Sequence, residues 1–221
     1  MLSGCLTEIK LGQKLYEAVR IGDIEEARRV IFGALRYQRK SLHQDNQSWT
    51  VIPAIIDYVG PSELTPLHSA ACEGREAIAR LLLSFGADPL KEAYDSETPL
   101  HKAVFNGHTR VVEELLQTQM SPDVTNVCGE TPLHYAVRYV QYNDAARALI
   151  KAGADVNKQS DINGWTPLHW AANMGNISMV QWLVFSGANP EILSKDGKTV
   201  LDVVTNPNLR EDVAQALRGV V

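Results

Sequence analysis

Long hydrophobic runs are missing from this chain. Nowhere among its 221 residues do the ~18 consecutive apolar side chains of a membrane-crossing helix occur, so nothing here points to a bilayer. Cysteine is scarce as well. Cys5, Cys72 and Cys128 are odd in number and not at metal-ligand spacing, which excludes a disulfide scaffold and fits a reducing compartment. Leu2-Ser3-Gly4-Cys5 has the letters of a lipoprotein cleavage site but no charged and apolar segments before it. Positive charge is not in excess either. With 21 Lys and Arg against 26 Asp and Glu, the net charge is −5, and wholesale phosphate binding is excluded. Arg36, Arg39 and Lys40 cluster, and read as a solvated helix end. Gly-rich phosphate loops of either common spacing are absent. With 45% hydrophobic and 21% charged residues, the chain is not intrinsically disordered.

What the chain has is a period. Thr-Pro-Leu-His occurs at residues 65–68, 98–101, 131–134 and 166–169, and a degenerate copy, Thr199-Val200-Leu201-Asp202, follows. The offsets of 33, 33, 35 and 33 residues are too regular for chance. Each copy runs on in the same way. Two small residues follow (Ala70-Ala71, Ala103-Val104, Ala136-Val137, Ala171-Ala172), then in three copies a glycine (Gly74, Gly107, Gly175). Next comes an apolar face at helical spacing, as in Val111, Val112, Leu115 and Leu116. Gly86-Ala87-Asp88, Gly153-Ala154-Asp155 and Gly187-Ala188-Asn189 end three of the units, with glycine suited to the left-handed C-terminal position. Thr can cap the first helix, Pro is tolerated in its first turn, and Leu points inward.

These residues resemble the ankyrin-repeat family over about residues 11–35 and 63–221. The resemblance implies an all-α solenoid of stacked helix-turn-helix units with projecting hairpin loops. It also implies a concave face, built from loops and first helices, where relatives hold partner proteins. The expected organisation is one domain over 1–221: an N-terminal cap at 11–36, an insertion at 37–62, repeats at 65–97, 98–130, 131–165 and 166–198, and a C-terminal cap at 199–221. Leu15, Ala18, Val19, Ile24, Ala27, Val30 and Ile31 mark the first cap; Leu201, Val204, Val213, Ala214 and Leu217 mark the second. Two polar-faced caps are what a complete stack needs.

Two departures stand out. The stretch from Gly33 to Glu63 is long for an ankyrin loop. Either the second cap helix runs on and Trp49 to Val59 folds back as an apolar cluster, or the segment occludes the groove. The third repeat is two residues longer than its neighbours. One extra residue falls in Tyr139–Asp144, where the inter-helix glycine is missing, and the other in Lys158–Asn163.

Catalytic and metal residues are expected to be none. His68, His101, His134 and His169 recur at the repeat interval, so each can bond an adjacent loop rather than share a metal, and no cluster has zinc-like spacing. Ser41, His43 and Asp45 have the letters of a triad but no scaffold to hold one. No cofactor is expected. In the family pattern, the residue after each His, the two before the inter-helix glycine, and the loop position before Thr tend toward the concave face. The third and fourth repeats thereby gather Tyr135, Arg138, Tyr139, Trp165, Trp170 and Met174, side chains that carry interface energy. Glu97, Glu130 and Tyr94 flank them.

The resulting expectation is a non-catalytic module that binds another protein or peptide. It would be monomeric on its own, without direct contact to nucleic acid or membrane, and cytoplasmic with the nucleus as the alternative. A second reading is an autoinhibited scaffold or adaptor whose 33–63 insertion occupies the groove, or a pathogen effector using the same binding mode. Asn157 resembles the asparagine that some family members have hydroxylated.

Overall fold

The computed structural model describes residues 2–42, 51–60, 62–138 and 143–218. Among the described residues every regular element is helical, as the resemblance implies. They form two compact units, residues 1–118 and 119–221. The first contains α1 (Leu2–Ile21), α2 (Ile24–Leu42), α3 (Val51–Ile56), α4 (Pro66–Cys72), α5 (Glu76–Ser84), a 3-10 turn at Tyr94–Ser96, α6 (Pro99–Phe105) and α7 (Thr109–Leu116). The second contains α8 (Pro132–Ala136), α9 (Asn143–Lys151), α10 (Pro167–Asn173), α11 (Ile177–Phe185) and α12 (Pro207–Arg218).

In the first unit α1 begins ahead of residue 11 and α2 continues past residue 36. Their facing side chains Leu15, Val19, Ala27 and Ile31 are fully buried. Ile55 and Ile56 of α3 are fully buried too, with Ile55 in a cluster with Ala34 and Leu11. The approach is close enough to need glycine: a Cβ at Gly12 would lie 2.6 Å from the Tyr58 ring. Asp57 accepts a hydrogen bond from the Asp88 N–H at 3.0 Å, and burial pushes its carboxyl above the ordinary range. Ile55 and Ile56 thus belong to the hydrophobic packing of this unit. Trp49, His43 and Asp45 lie outside the described residues.

Thr-Pro-Leu-His works as a cap and as a joint. The Thr is extended and opens the helix, Pro occupies the first turn, and Leu67, Leu100, Leu133 and Leu168 are fully buried. The His takes the third helical position and reaches back: its Nδ1 accepts the Thr backbone N–H at 3.0–3.3 Å in all four copies. A ring nitrogen that accepts here carries no proton, so the proton resides on Nε2. That Nε2 donates to the next loop: His68 to the Glu97 carbonyl at 3.1 Å, His134 to the Trp165 carbonyl at 3.1 Å, His169 to the Lys198 carbonyl at 3.4 Å. Burial lowers the pKa of His68 to about 4 and also lowers that of His169. In the degenerate copy Asp202 accepts from the Thr199 N–H at 3.1 Å and its hydroxyl at 2.7 Å. A carboxylate keeps the cap but has no donor to send onward, and residues 200–203 form turns rather than a helix.

Helix ends are closed by glycine at positive φ: Gly86 at 83°, Gly153 at 92° and Gly187 at 94°. In the second repeat this place falls to Gln119, at φ 61°. The loop position held by Gly129, Gly164 and Gly197 elsewhere is Ser96 in the first loop, at φ 56°. Both side chains sit in the left-handed region, which costs about 1–2 kcal/mol for a residue with a Cβ.

Gln119→Gly and Ser96→Gly should therefore each stabilise the protein by about 0.5–1 kcal/mol in urea unfolding, whereas Gly153→Ala should destabilise it. Unchanged midpoints would contradict the strain. For pH, the depressed histidines set the sign. The unfolded chain takes up protons below the ordinary value of 6.5, while folded His68 resists down to about 4. Stability should be constant above neutrality and fall by roughly 1 kcal/mol per pH unit between about pH 6.5 and pH 5. A flat profile over that window would show the imidazoles are not held neutral.

Candidate functional site

The second unit brings five of the expected interface residues together directly. Glu130 sits at the base of the loop before α8; Tyr135 lies on α8 and Arg138 just beyond it; Trp165 is at the base of the next loop and Trp170 on α10. The Arg138 guanidinium lies 4.0 Å from the Trp170 ring centre and 5.1 Å from that of Tyr135, and forms an ion pair with Glu130. Trp165 meets Trp170 edge-on, with ring centres 4.6 Å apart at 62°. The Tyr135 hydroxyl accepts from Asn126 Nδ2 at 2.9 Å, and the Trp165 N–H donates to Asn163 at 2.9 Å. The first bond ties its loop to α8, and the second, from the Trp165 backbone, holds the next loop in its own turn. Met174, at the C-terminal end of α10, is 45% exposed.

Two donors in this cluster lack an acceptor among the described residues: Arg138 Nε and the Trp170 indole N–H, both buried. A buried donor left unsatisfied costs about 1–3 kcal/mol, so their coincidence in one cluster is notable.

The remaining expected residues are placed differently. Tyr94 and Glu97 belong to the first unit, where Tyr94 is 72% exposed and Glu97 forms an ion pair with Lys102. Glu97 and Glu130 are thus spent on basic residues of their own unit. Tyr139 lies outside the described residues. Ser69, in the first repeat's position after His, is buried. Trp182 lies 5.8 Å from Phe185 and 5.3 Å from the Arg147 guanidinium, a separate aromatic group.

The extra residue at 158–163 has a visible consequence. Loops elsewhere close with a bond spanning four residues, Asn126 to Glu130 and Ser194 to Lys198; here Ser160 N–H donates to the Trp165 carbonyl, spanning five. Ile162 near its tip is 69% exposed, much as Val127 is in the shorter loop, at 62%. Loops stack by their backbones, Asp161 N–H to Cys128 carbonyl at 2.8 Å and Lys195 N–H to Asn163 carbonyl at 2.9 Å. A Cβ at Gly129 would lie 2.6 Å from the Asp161 nitrogen.

Among the described residues no group of three His, Cys, Asp or Glu could hold a metal, and no helix is long and apolar enough to cross a membrane. The family model for ankyrin repeats matches residues 15–118, 90–160, 120–196 and 144–218. The chain belongs to the ankyrin-repeat family. It is 38% identical over 63 residues to human ankyrin repeat domain-containing protein 40 and 46% identical over 61 residues to the putative E3 ubiquitin-protein ligase XBAT34 of Arabidopsis thaliana. It is also 40% identical over 65 residues to the mouse 2-5A-dependent ribonuclease. These stretches cover 28%, 27% and 28% of this chain but only 17%, 16% and 9% of the relatives. Ankyrin repeats generally mediate protein–protein interaction and are typically non-catalytic.

Arg138 is held by an ion pair and two rings, so Arg138→Ala, which removes all three contacts, should cost about 2 kcal/mol in urea unfolding. Arg110→Ala, at a 79% exposed arginine, should change stability by less than about 0.5 kcal/mol. Equal effects at the two sites would show that the stack is decorative.

Proposed function

We propose that this ankyrin-repeat protein is a non-catalytic interaction module whose partner docks on the third and fourth repeats. The observation that carries this reading is the ordered aromatic cluster of Tyr135, Trp165 and Trp170, braced by Arg138 and bordered by the exposed Met174. Large rings already fixed by neighbours give contact area at little entropic cost, which is how binding energy concentrates in few residues. Tyr94 and Glu97, in the first unit, are proposed as further partner contacts of that unit. The proposed state is a monomer in the cytoplasm or nucleus, contacting neither nucleic acid nor membrane directly. Enzymatic names among the relatives do not transfer, since the ribonuclease match covers 9% of that protein.

The autoinhibited alternative has less support. A lid must leave its site, and Ile55 and Ile56 in the 33–63 segment are fully buried in the first unit.

The test is capture of partners from the source cell by the wild-type chain, followed by direct titration of a purified partner. Trp165→Ala/Trp170→Ala should weaken that complex by about 2 kcal/mol or more, with helicity retained. Met174→Arg, at a 45% exposed position, should weaken the same complex with the urea midpoint retained. Undiminished binding by both variants would remove the site from these repeats.

A further inference from the structure

In the second unit α9 and α11 lie side by side in register. Asn143 Nδ2 donates to the Ser178 hydroxyl at 3.1 Å, and one turn on the Arg147 guanidinium lies 5.3 Å from the Trp182 ring centre. Each helix advances four residues between these contacts, so the two run parallel with the same edges facing. A further step of four brings Lys151 level with Ser186, the residue after Phe185. Phe185 is 73% exposed, and its ring centre lies 5.8 Å from that of Trp182. This edge therefore carries cations from α9 and rings from α11.

The first unit has the same joint with different side chains. Arg80 stands two residues before the buried Leu82, as Arg147 does before Leu149; Glu114 stands one before the buried Leu115, as Trp182 does before Leu183. There the guanidinium is closed by Glu114 at 2.6 Å and Glu76 at 2.7 Å. Arg147 instead meets an indole, which attracts a cation without cancelling its charge. Its ion pair with Asp144 is long, 3.8 Å, between side chains 53% and 81% exposed, and contributes little. Lys151 is exposed and forms no ion pair among the described residues, and α11 has no charged residue. α12 begins beside the start of α11, where Leu209 closes on Gly175, so Glu211 and Asp212 lie toward that end and away from Phe185. Glu211 is moreover paired with Arg218.

We propose that the α9–α11 edge docks an acidic segment of another protein, which lays an apolar side chain on Phe185 and sets carboxylates against Arg147 and Lys151. An exposed ring beside cations short of a counter-charge gains from both contacts at once. Four residues of helix separate the two cations, about 6 Å, so the carboxylates belong four apart on a helix or two apart on an extended segment. This edge is separate from Tyr135, Trp165 and Trp170, and its docking stands whether or not those residues hold a partner.

The experiment titrates the whole chain, labelled with nitrogen-15, with three blocked helical peptides. One carries leucines along one edge and glutamates four residues apart beside them. In the second every glutamate is glutamine, and in the third every leucine is alanine. The first should bind saturably and at least about tenfold tighter than either control. Its affinity should fall by about fivefold or more from low to high salt. Backbone amide signals around Arg147, Lys151 and Phe185 should move on saturation. Phe185→Ser and Lys151→Glu, both at exposed positions, should each weaken binding by about fivefold or more with the urea midpoint retained, and Trp165→Ala/Trp170→Ala should leave it unchanged.

No saturable binding, equal binding of the glutamine or alanine peptide, or undiminished binding by Phe185→Ser and Lys151→Glu would each overturn the proposal. Binding lost in Trp165→Ala/Trp170→Ala but kept in the other two variants would place the peptide on the other surface, and this inference alone would fail. Vesicles of phosphatidylserine and phosphatidylcholine form the last arm. Binding to them that Lys151→Glu abolishes, with no binding of the acidic peptide, would give the edge to a lipid surface and overturn the assignment to a protein.

Discussion

A neutral buried imidazole joins one repeat to the next. Nδ1 accepts the Thr N–H that would otherwise be an orphan at the helix start, and Nε2 donates to a carbonyl at the base of the following loop. One ring thus satisfies two backbone groups in two successive repeats, in an interior where either left unpaired would be costly. Only one tautomer does both, and the imidazolium keeps the Nε2 donor but loses the Nδ1 acceptor. Burial holds His68 in the neutral form that this needs, lowering its pKa to about 4 against the pull of the Glu97 carbonyl. Where the joint is reduced to Asp202, the cap survives and the helix behind it does not form.

That division of labour frees the position after each His. Thr, Pro, Leu and His are taken by cap, turn, core and joint, so the next residue varies without disturbing them. It is Ser69, Lys102, Tyr135 and Trp170 in succession. It is buried as Ser69, ion-paired as Lys102 and a partly exposed ring as Tyr135 and Trp170, so its character changes while the frame stays constant. Arg138 then changes what the aromatic residues can do. Stacked on Trp170 and paired with Glu130, it fixes the rings and removes net charge from the surface. The same pairing appears in the first unit, where Lys102 meets Glu97.

The fold was legible because its signals are local and repeated. A cap, a buried Leu, two small residues and a closing glycine within one unit need no distant partner to be recognised. The strained exceptions were legible as well, had each unit been compared position by position: Gln119 and Ser96 stand where the other units have glycine. The candidate residues were legible by register, since a period of known structure tells which positions share a face. Their pairing was not. Glu130 and Arg138 are eight residues apart and Arg138 and Trp170 thirty-two, and neither separation marks a contact in a helix.

By itself, then, the sequence determined the architecture: four spaced tetrapeptides carry cap, turn, core and joint in residues that interact over three or four positions. Tertiary structure decided the character of the surface. Whether Glu130 is a free charge or a brace, and whether Trp170 is a bare indole or one covered by a guanidinium, depends on side chains from successive repeats meeting in space. Ile55 and Ile56 make the same point in the first unit. Their apolar letters show that they will be buried, but only the meeting of α1, α2 and α3 shows where.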